Sequence, residues 1–489
     1  MTVPTPDDLA AWLDSLPGIR VLIVGDIMLD AFVSGEVARV SPEAPVPVLR
    51  VAERQEMLGG AGNVLRNLAE LGAQAKLVGA VGDDEAGRRV RQLAGNADDD
   101  GSGLVTASDR PTTSKTRYLA QGQQLLRSDT ETAAPLRDDQ ASAILKAVTA
   151  ALPACDALIL SDYGKGVLHP DTTRKVIALA RAAGRPVIVD PKGRDYSAYA
   201  GAGVVTPNRS ELREATGENA DSDAAVAAAA GRLREQVGLD AVLATRGPAG
   251  MTLVTAAETP LHLPAATRDV FDVSGAGDTV VATLGAALGA GAPLPTAAGL
   301  ANVAAGLVVG KVGTATVRPE EILHALHANR LRASERKVLD TASAAERVAA
   351  WRRAGQRVGF TNGCFDLLHP GHVSLLRQAR TQCDRLIVGL NSDASVTRLK
   401  GPERPIQDAA ARAAVLASLG DVDAVVIFGE DTPLSLIETL RPDTLVKGGD
   451  YTPESVVGAD VVTSHGGRVV IADLEPGHAT SATVRRLRD

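Results

Sequence analysis

Aromatic side chains make up 2% of this 489-residue chain, and it has only three cysteines, Cys155, Cys364 and Cys383. Three cysteines with no CxxC pair exclude a disulfide framework and point to a reducing compartment. Basic excess is also missing: Lys+Arg 51 against Asp+Glu 59 gives a formal charge of −8 and a pI near 5.6. Partners that demand a basic face, nucleic acid and membrane surfaces, are excluded, whereas single anionic ligands need only a few local donors. No apolar run approaches the ~20 residues of a membrane helix, since the stretch 280–294 is broken by Gly285, Gly289 and Gly291. Residues 1–16 carry Asp7, Asp8 and Asp14 without a basic start, so no signal peptide is read there and the expected location is cytoplasmic.

What the chain has instead is Ala, Val, Leu and Gly, with 45% hydrophobic and 22% charged residues. Such a core of small aliphatic side chains suits buried parallel strands, and the length suggests two to four domains. Short β-branched runs alternate with Ala-rich helical stretches, the mark of α/β units. In the first part strands are expected at 21–25, 157–160, 187–190, 204–206 and 241–245. Two alternating segments, 46–51 and 116–126, read as a small separate sheet that would lie over the main one, with Gln121-Gly122 at a turn. Residues 96–111 read as a polar loop. From 320 to 354 the sequence becomes charged and helical with no strand, and 331–355 is taken as a linker. A second alternation follows, with strands expected at 357–360, 385–390, 424–428, 444–447 and 468–471. The domains are thus 1–330 and 356–489, both α/β.

The sharpest signal in the first domain is Asp272-Val273-Ser274-Gly275-Ala276-Gly277-Asp278 before an apolar helical run. Small residues at a helix start leave backbone N–H groups open to an anion, and the helix dipole adds to the attraction. Asp278 is then either a helix N-cap or a base that takes a proton from an attacking hydroxyl. A dinucleotide fingerprint fails because Val280 stands where its third glycine belongs, and Gly306–Lys311 has the wrong spacing for a P-loop. Gly59-Gly60-Ala61-Gly62-Asn63 opens another helix. Asp26 and Asp30 follow the first strand, where they can bind the hydroxyls of a polyol or simply form a turn. Asn208-Arg209-Ser210-Glu211 follows a further strand and can support a metal–phosphate complex.

Taken in this order, GGAGN, NxxE and DVSGAGD resemble the ribokinase-like (PfkB) sugar kinases over residues 10–325. The resemblance implies a ribokinase-like fold with a small β lid and Mg²⁺-dependent transfer of the ATP γ-phosphoryl group to a sugar hydroxyl. Asp278 would be the base and Gly275, Ala276 and Gly277 the anion hole. ATP would meet Asn208, Arg209, Ser210 and Glu211. The sugar would meet Asp26, Asp30, Gly59, Gly60 and Asn63.

In the second domain Thr361-Asn362-Gly363-Cys364-Phe365-Asp366-Leu367-Leu368-His369-Pro370-Gly371-His372 runs from a strand into a helix. Two histidines three apart across Pro-Gly can converge at a helix N-terminus, an anion site. Zinc is the competing reading, but no second ligand pair accompanies them. The HxGH motif resembles the nucleotidyltransferase superfamily that includes the cytidylyltransferases, with a Rossmann-like fold over residues 356–489. It implies that His369 and His372 stabilise the α-phosphate, with Lys400 on phosphate. Thr361, Asn362, Gly363, Lys447, Gly448, Asp450, Thr480 and Ser481 would bind the nucleotide, although Ala479-Thr480-Ser481 matches that family's last motif only loosely.

Together with Arg39-Val40-Ser41-Pro42-Glu43 and Leu125-Leu126-Arg127-Ser128-Asp129, the pair of domains resembles the bifunctional heptose kinase/adenylyltransferases of ADP-heptose synthesis. That resemblance implies phosphorylation of D-glycero-β-D-manno-heptose 7-phosphate at C1, and transfer of AMP from ATP to heptose 1-phosphate. It adds Arg127 and Asp129 to the sugar site and implies a homodimer, Mg²⁺ with ATP, no tightly bound metal, and leaves a monovalent cation open. Three rivals stand beside it: a sugar kinase with a C-terminal nucleotide-binding regulatory domain, a fusion that makes another nucleotide sugar or a CDP-alcohol, and a scaffold of two decayed enzyme domains, against which intact Asp278 and His369-Pro370-Gly371-His372 speak.

Overall fold

The computed structural model describes residues 3–95, 102–256, 259–266, 273–311, 313–449 and 451–473. The chain divides into two compact units, Met1–His327 and Ala328–Asp489.

The first unit is built on a nine-stranded sheet in the order Leu261–Leu263, Met251–Thr255, Ala241–Thr245, Val204–Val205, Val187–Asp190, Ala157–Ser161, Arg20–Gly25, Gln74–Val81 and Leu104–Thr106. All pairs are parallel except the two made by Met251–Thr255. Alternation along the central strand divides the core in two. Val21 and Ile23 join Leu65, Leu68, Val281, Leu284 and Leu300 on one face. Leu22 and Val24 join Ile144, Val148, Val176, Ile177, Val226 and Leu233 on the other. Both faces of the sheet are thus covered by helices, as parallel strands require. Small residues let them come close: a Cβ at Gly285 would lie 2.6 Å from the Ile159 side chain.

A separate four-stranded sheet has the order Pro47–Gly60, Ile27–Val40, Thr113–Ala120, Gln123–Thr130. The expected turn at Gln121-Gly122 is there, with both residues at positive φ. The two expected segments do not pair with each other, however. Ile27–Val40 lies between them, and 116–126 is itself part of a hairpin. The expected loop at 96–111 also needs correction, because Leu104–Thr106 extends the main sheet by pairing with Gln74–Val81. Its three residues are too few to stand out from polar neighbours.

The second unit is a six-stranded parallel sheet, in the order Val338–Leu339, Ala424–Phe428, Arg385–Asn391, Val358–Gly363, Thr444–Gly448 and Arg468–Ala472. Five of these strands were expected. The sixth overturns the linker reading. Val338–Leu339 pairs with Val425 and Val426, and the helix Thr341–Arg353 buries Ala344 and Val348 in the same core as Phe360, Ile437 and Leu440. Residues 338–353 are structure of the second unit, hidden in the sequence by a strand of only two residues.

This placement generates a test. A piece spanning 328–489 should be soluble and cooperative, whereas one starting at Arg353 should aggregate or melt far lower. Truncation removes a strand and a core helix, a large fraction of the ~5–15 kcal/mol that holds a domain together. Equal thermal midpoints for the two pieces would refute the assignment.

Candidate active sites

In the first unit the helix Ala276–Gly289 begins at Gly275, whose φ of 81° is left-handed backbone open to glycine at little cost. Asp278 occupies its first turn and is 4% exposed. It does not cap the helix. Its Oδ2 accepts from Asn63 Nδ2 at 2.8 Å, and its Oδ1 accepts from the Tyr163 hydroxyl at 2.8 Å. Burial lifts the carboxyl to about 6, against the pull of those two hydrogen bonds; the nearby Asp30 charge raises it further and Arg66 lowers it. Tyr163 is pushed well above its usual range by burial and by the Asp278 charge, so it keeps its proton.

Asp278 stands beside a cavity of about 440 Å³ whose lining includes Tyr163, Asp190, Asn208, Glu211, Ala276 and Gly277. The amides of the first helical turn lack intrahelical partners by position, although that of Ala276 reaches the Val273 carbonyl at 3.3 Å, so this end of the helix offers donors to an anion. Apolar Met251, Val280, Ala305 and Val309 form another part of the wall. Asn208 and Glu211 make a reciprocal cap: Asn208 Oδ1 accepts from the amides of Ser210 and Glu211, and Glu211 Oε2 accepts from the amide of Asn208. The other Glu211 oxygen meets Lys192 Nζ at 3.2 Å. Asp190 is raised by burial, then by the charges of Asp278 and Glu211, and Asp162 is raised to about 6, chiefly by burial.

Other expected residues are placed differently. Asp26 is 1% exposed and its carboxylate is spent on backbone: Oδ2 accepts from Tyr163 and Lys165, and Oδ1 from Val167. It holds the 163–167 loop. Asp30 lies within a strand, pairs with Arg117 at 2.7 Å, and sits where a Cβ at Gly59 would clash with it. Gly60 turns the chain at φ 59° into the helix that carries Asn63. Arg127 and Asp129 pair with each other on the exposed strand Gln123–Thr130, a contact that leaves both near solvent. Arg209 and Ser210 are in the helix after Asn208 but do not line the cavity. Asp272, Asp450, Thr480 and Ser481 lie outside the described residues.

In the second unit His369 precedes the helix Pro370–Thr381 and His372 lies in its first turn. Their rings stack with centroids 3.7 Å apart, and Phe365 packs 5.0 Å from His372. Burial lowers His372 to about 4, assisted by the charges of His369 and Lys400 and opposed by the Leu367 carbonyl. Lys400 is exposed at the end of the helix Asp393–Lys400. Lys447 donates to Asn362 Oδ1 at 3.0 Å across adjacent strand ends and lies over the Tyr451 ring. Thr361 is fully buried one residue earlier on its strand, and Gly363 and Gly448 end their strands. Among the described residues no cluster of His, Cys, Asp and Glu could hold a metal ion.

Sequence reasoning passed over Tyr163, Asp190 and Lys192, and over Arg412. Asp162-Tyr163-Gly164-Lys165-Gly166 directly follows a strand, and that position was the available signal. Arg412 gave none: it is fully buried and donates to the carbonyls of Cys364, Asn391 and Gln407 and to Asp393, a role that only the fold reveals.

Residues 19–321 match the model of the pfkB family carbohydrate kinases, and 360–476 match the cytidylyltransferase-like family. A bifunctional protein HldE of Paramagnetospirillum magneticum is 57% identical over 475 residues, covering 97% of each chain. One of Rhodospirillum rubrum is 56% identical over 484 residues, covering 99% of this chain and 97% of its own. Phosphofructokinase-2 from Escherichia coli, solved with potassium, superposes with a TM-score of 0.53 at 20% identity, over 64% of this chain and 99% of that one. At that identity it supports the fold of the first unit alone.

The electrostatics of the histidine pair can be checked directly. His372 should remain neutral at pH 6, since its proton affinity is depressed to about 4. Long-range ¹H–¹⁵N spectra should show a neutral tautomer there. A His372 resonance that titrates above pH 6 would contradict the buried, stacked arrangement.

Proposed function

The chain belongs to the bifunctional HldE family, in which a pfkB carbohydrate kinase is joined to a cytidylyltransferase-like nucleotidyltransferase, and from that premise we propose how its two sites work. The kinase phosphorylates D-glycero-β-D-manno-heptose 7-phosphate at C1, and the transferase joins AMP from ATP to heptose 1-phosphate, giving ADP-heptose and pyrophosphate. A separate phosphatase removes the 7-phosphate between the two steps. The observation that supports the kinase reading best is the buried Asp278 carboxylate beside a cavity fit for a nucleotide.

In the kinase, the anomeric hydroxyl gives its proton to Asp278 while its oxygen bonds to the γ-phosphorus of ATP. The bond from that phosphorus to the β-phosphate oxygen breaks and ADP leaves. A base with an affinity near 6 is ionised at neutral pH yet can still accept the proton. The helix start at Gly275, Ala276 and Gly277 receives the phosphoryl oxygens, whose charge spreads in the transition state. The apolar wall of Val280, Ala305 and Val309 suits a nucleobase. Asp162, Asp190 and Glu211 face the same cavity with Lys192, which is already paired with Glu211, so phosphates there call for further positive charge. Magnesium would supply that charge neutralisation, held mainly by phosphate oxygens and water, with Asp190, Asn208 and Glu211 as its neighbours here. The enzyme is read as working in the cytoplasm.

In the transferase, an oxygen of the sugar phosphate attacks the α-phosphorus of ATP and pyrophosphate leaves. His369 and His372, at a helix N-terminus, donate hydrogen bonds to the α-phosphate, and Lys400 and Lys447 carry the positive charge.

Two paired measurements test this division. Asp278→Asn keeps size and shape but cannot take the proton, so sugar phosphorylation should fall by ~10²–10⁴ while adenylyl transfer from supplied sugar 1-phosphate persists. A loss smaller than about tenfold would remove Asp278 from the role of base. His369→Ala or His372→Ala should show the converse, with adenylyl transfer reduced ~10²–10³ and the kinase intact. If the histidine variants release pyrophosphate at the parent rate, the regulatory reading of the second unit gains the ground.

A further inference from the structure

Asn63 stands between two groups that dictate its direction. Its Oδ1 accepts from Arg66 Nη1 at 3.1 Å, and its Nδ2 donates to Asp278 Oδ2 at 2.8 Å. A guanidinium has no acceptor, so it admits only the oxygen end of the amide. The carboxamide therefore cannot turn over without facing Arg66 with an N–H against N–H. Arg66 is itself held, since the same nitrogen approaches the Thr314 carbonyl at 3.3 Å and Met57 Sδ at 3.7 Å. The space for the amide is guarded too: a Cβ at Gly275 would lie 2.9 Å from Asn63 Nδ2. Behind it, Asn67 donates to the Asn63 carbonyl at 2.9 Å and accepts from Thr279 at 2.8 Å.

The other carboxylate oxygen has a partner of a different kind. Oδ1 meets the Tyr163 hydroxyl, which can rotate and exchange donation for acceptance, as an amide locked by Arg66 cannot. The two oxygens of Asp278 are thus chemically unlike, although a carboxylate is symmetrical. We propose that Arg66 is a positioning residue for the kinase: it fixes the Asn63 amide, which keeps Oδ2 an acceptor and leaves Oδ1 as the atom that takes the sugar proton. This rests on the reading of Asp278 as base. In the step, the sugar O–H bond breaks and an Oδ1–H bond forms as the sugar oxygen bonds to phosphorus and ADP leaves. The Tyr163 hydroxyl turns and accepts from the new Oδ1–H.

The groups that face Asp278 are Asp30 from the strand Ile27–Val40, Arg66 from the helix Ala61–Glu70, Tyr163 after the strand Ala157–Ser161, and Asp190. Each contributes to the acid limb of the kinase pH profile, so variants are compared on that limb. Arg66→Gln offers Asn63 a partner that both donates and accepts, and so no longer fixes its direction. Its limb should move to higher pH by about 1–2, the worth of one hydrogen bond to the charged form, with the KM for ATP little changed. Arg66→Lys, again a pure donor, should keep the limb at or near the parent position. In an Asn63→Leu background Arg66→Gln should add only the smaller rise that comes from its lost charge, because the residue through which Arg66 otherwise acts is gone. Tyr163→Phe gives an independent reading, for it removes the acceptor at Oδ1 and should lower kcat and raise the limb.

An unmoved limb in Arg66→Gln overturns the proposal, as does an equal shift in Gln and Lys variants. So does a full shift in the Asn63→Leu background, which would mean that Arg66 acts by charge alone. A Tyr163→Phe enzyme with the parent profile overturns the assignment of Oδ1 even if the Arg66 variants fail to fold. Kinase activity retained in Asp278→Asn would instead sink the underlying reading of the base.

Discussion

One carboxylate kept from water organises the first unit. A buried anion is costly unless donors reach it, and Asp278 draws its donors from two distant parts of the chain, Asn63 and Tyr163. Each donor needs its own support. Asn63 is carried by a helix that starts at the sharp turn of Gly60. Tyr163 is carried by a loop whose amides are gathered by Asp26. Asp26 therefore supports the site at one remove, through the backbone amides it gathers. Even the glycine at 275 answers to this need, since a side chain there would displace the amide of Asn63.

The scarcity of aromatic residues belongs to the same design. Helices set against a sheet by Ala, Gly and Val approach it closely, and the first turn of Ala276–Gly289 then comes to the carboxyl ends of the strands Ala157–Ser161 and Val187–Asp190. That is where ligands bind in open parallel sheets. The second unit uses the same rule with other means: its histidine pair follows the strand Val358–Gly363, and Lys447 ends the neighbouring one.

Most of the fold was legible because strand length and alternation are properties of short windows. The five longer strands of the second sheet and the central strands of the first were plain. Val338–Leu339 and Leu104–Thr106 were not, because strands of two or three residues carry no period and exist only by pairing. In the sites, the motifs marked the residues that start helices, Asp278 and the histidines, since glycine and proline punctuate the sequence there. They did not mark Tyr163, which looks like any aromatic residue until the fold brings it to Asp278, 115 positions away. Nor did they distinguish a carboxylate given to backbone amides, Asp26, from one left facing a cavity, Asp190.

The two proposed reactions also explain why the sites manage charge in opposite ways. A sugar hydroxyl must lose a proton as it attacks, so the kinase keeps an ionised carboxylate buried and near the point of titration. A sugar phosphate arrives already ionised and needs no base. Its site accordingly places neutral imidazole beside the helix start, with His372 held well below neutrality by burial and by the charges of His369 and Lys400. Asp366, a buried acid in the segment that leads to the histidines, is committed elsewhere, to Arg404 and to the amides of Ile406 and Gln407. Those contacts hold the segment just after Lys400 against the strand-to-helix turn that delivers the histidines. An acid that steadies the loop and an acid that takes a proton are thus separated by one criterion: whether its oxygens meet only fixed donors, or at least one partner that can turn.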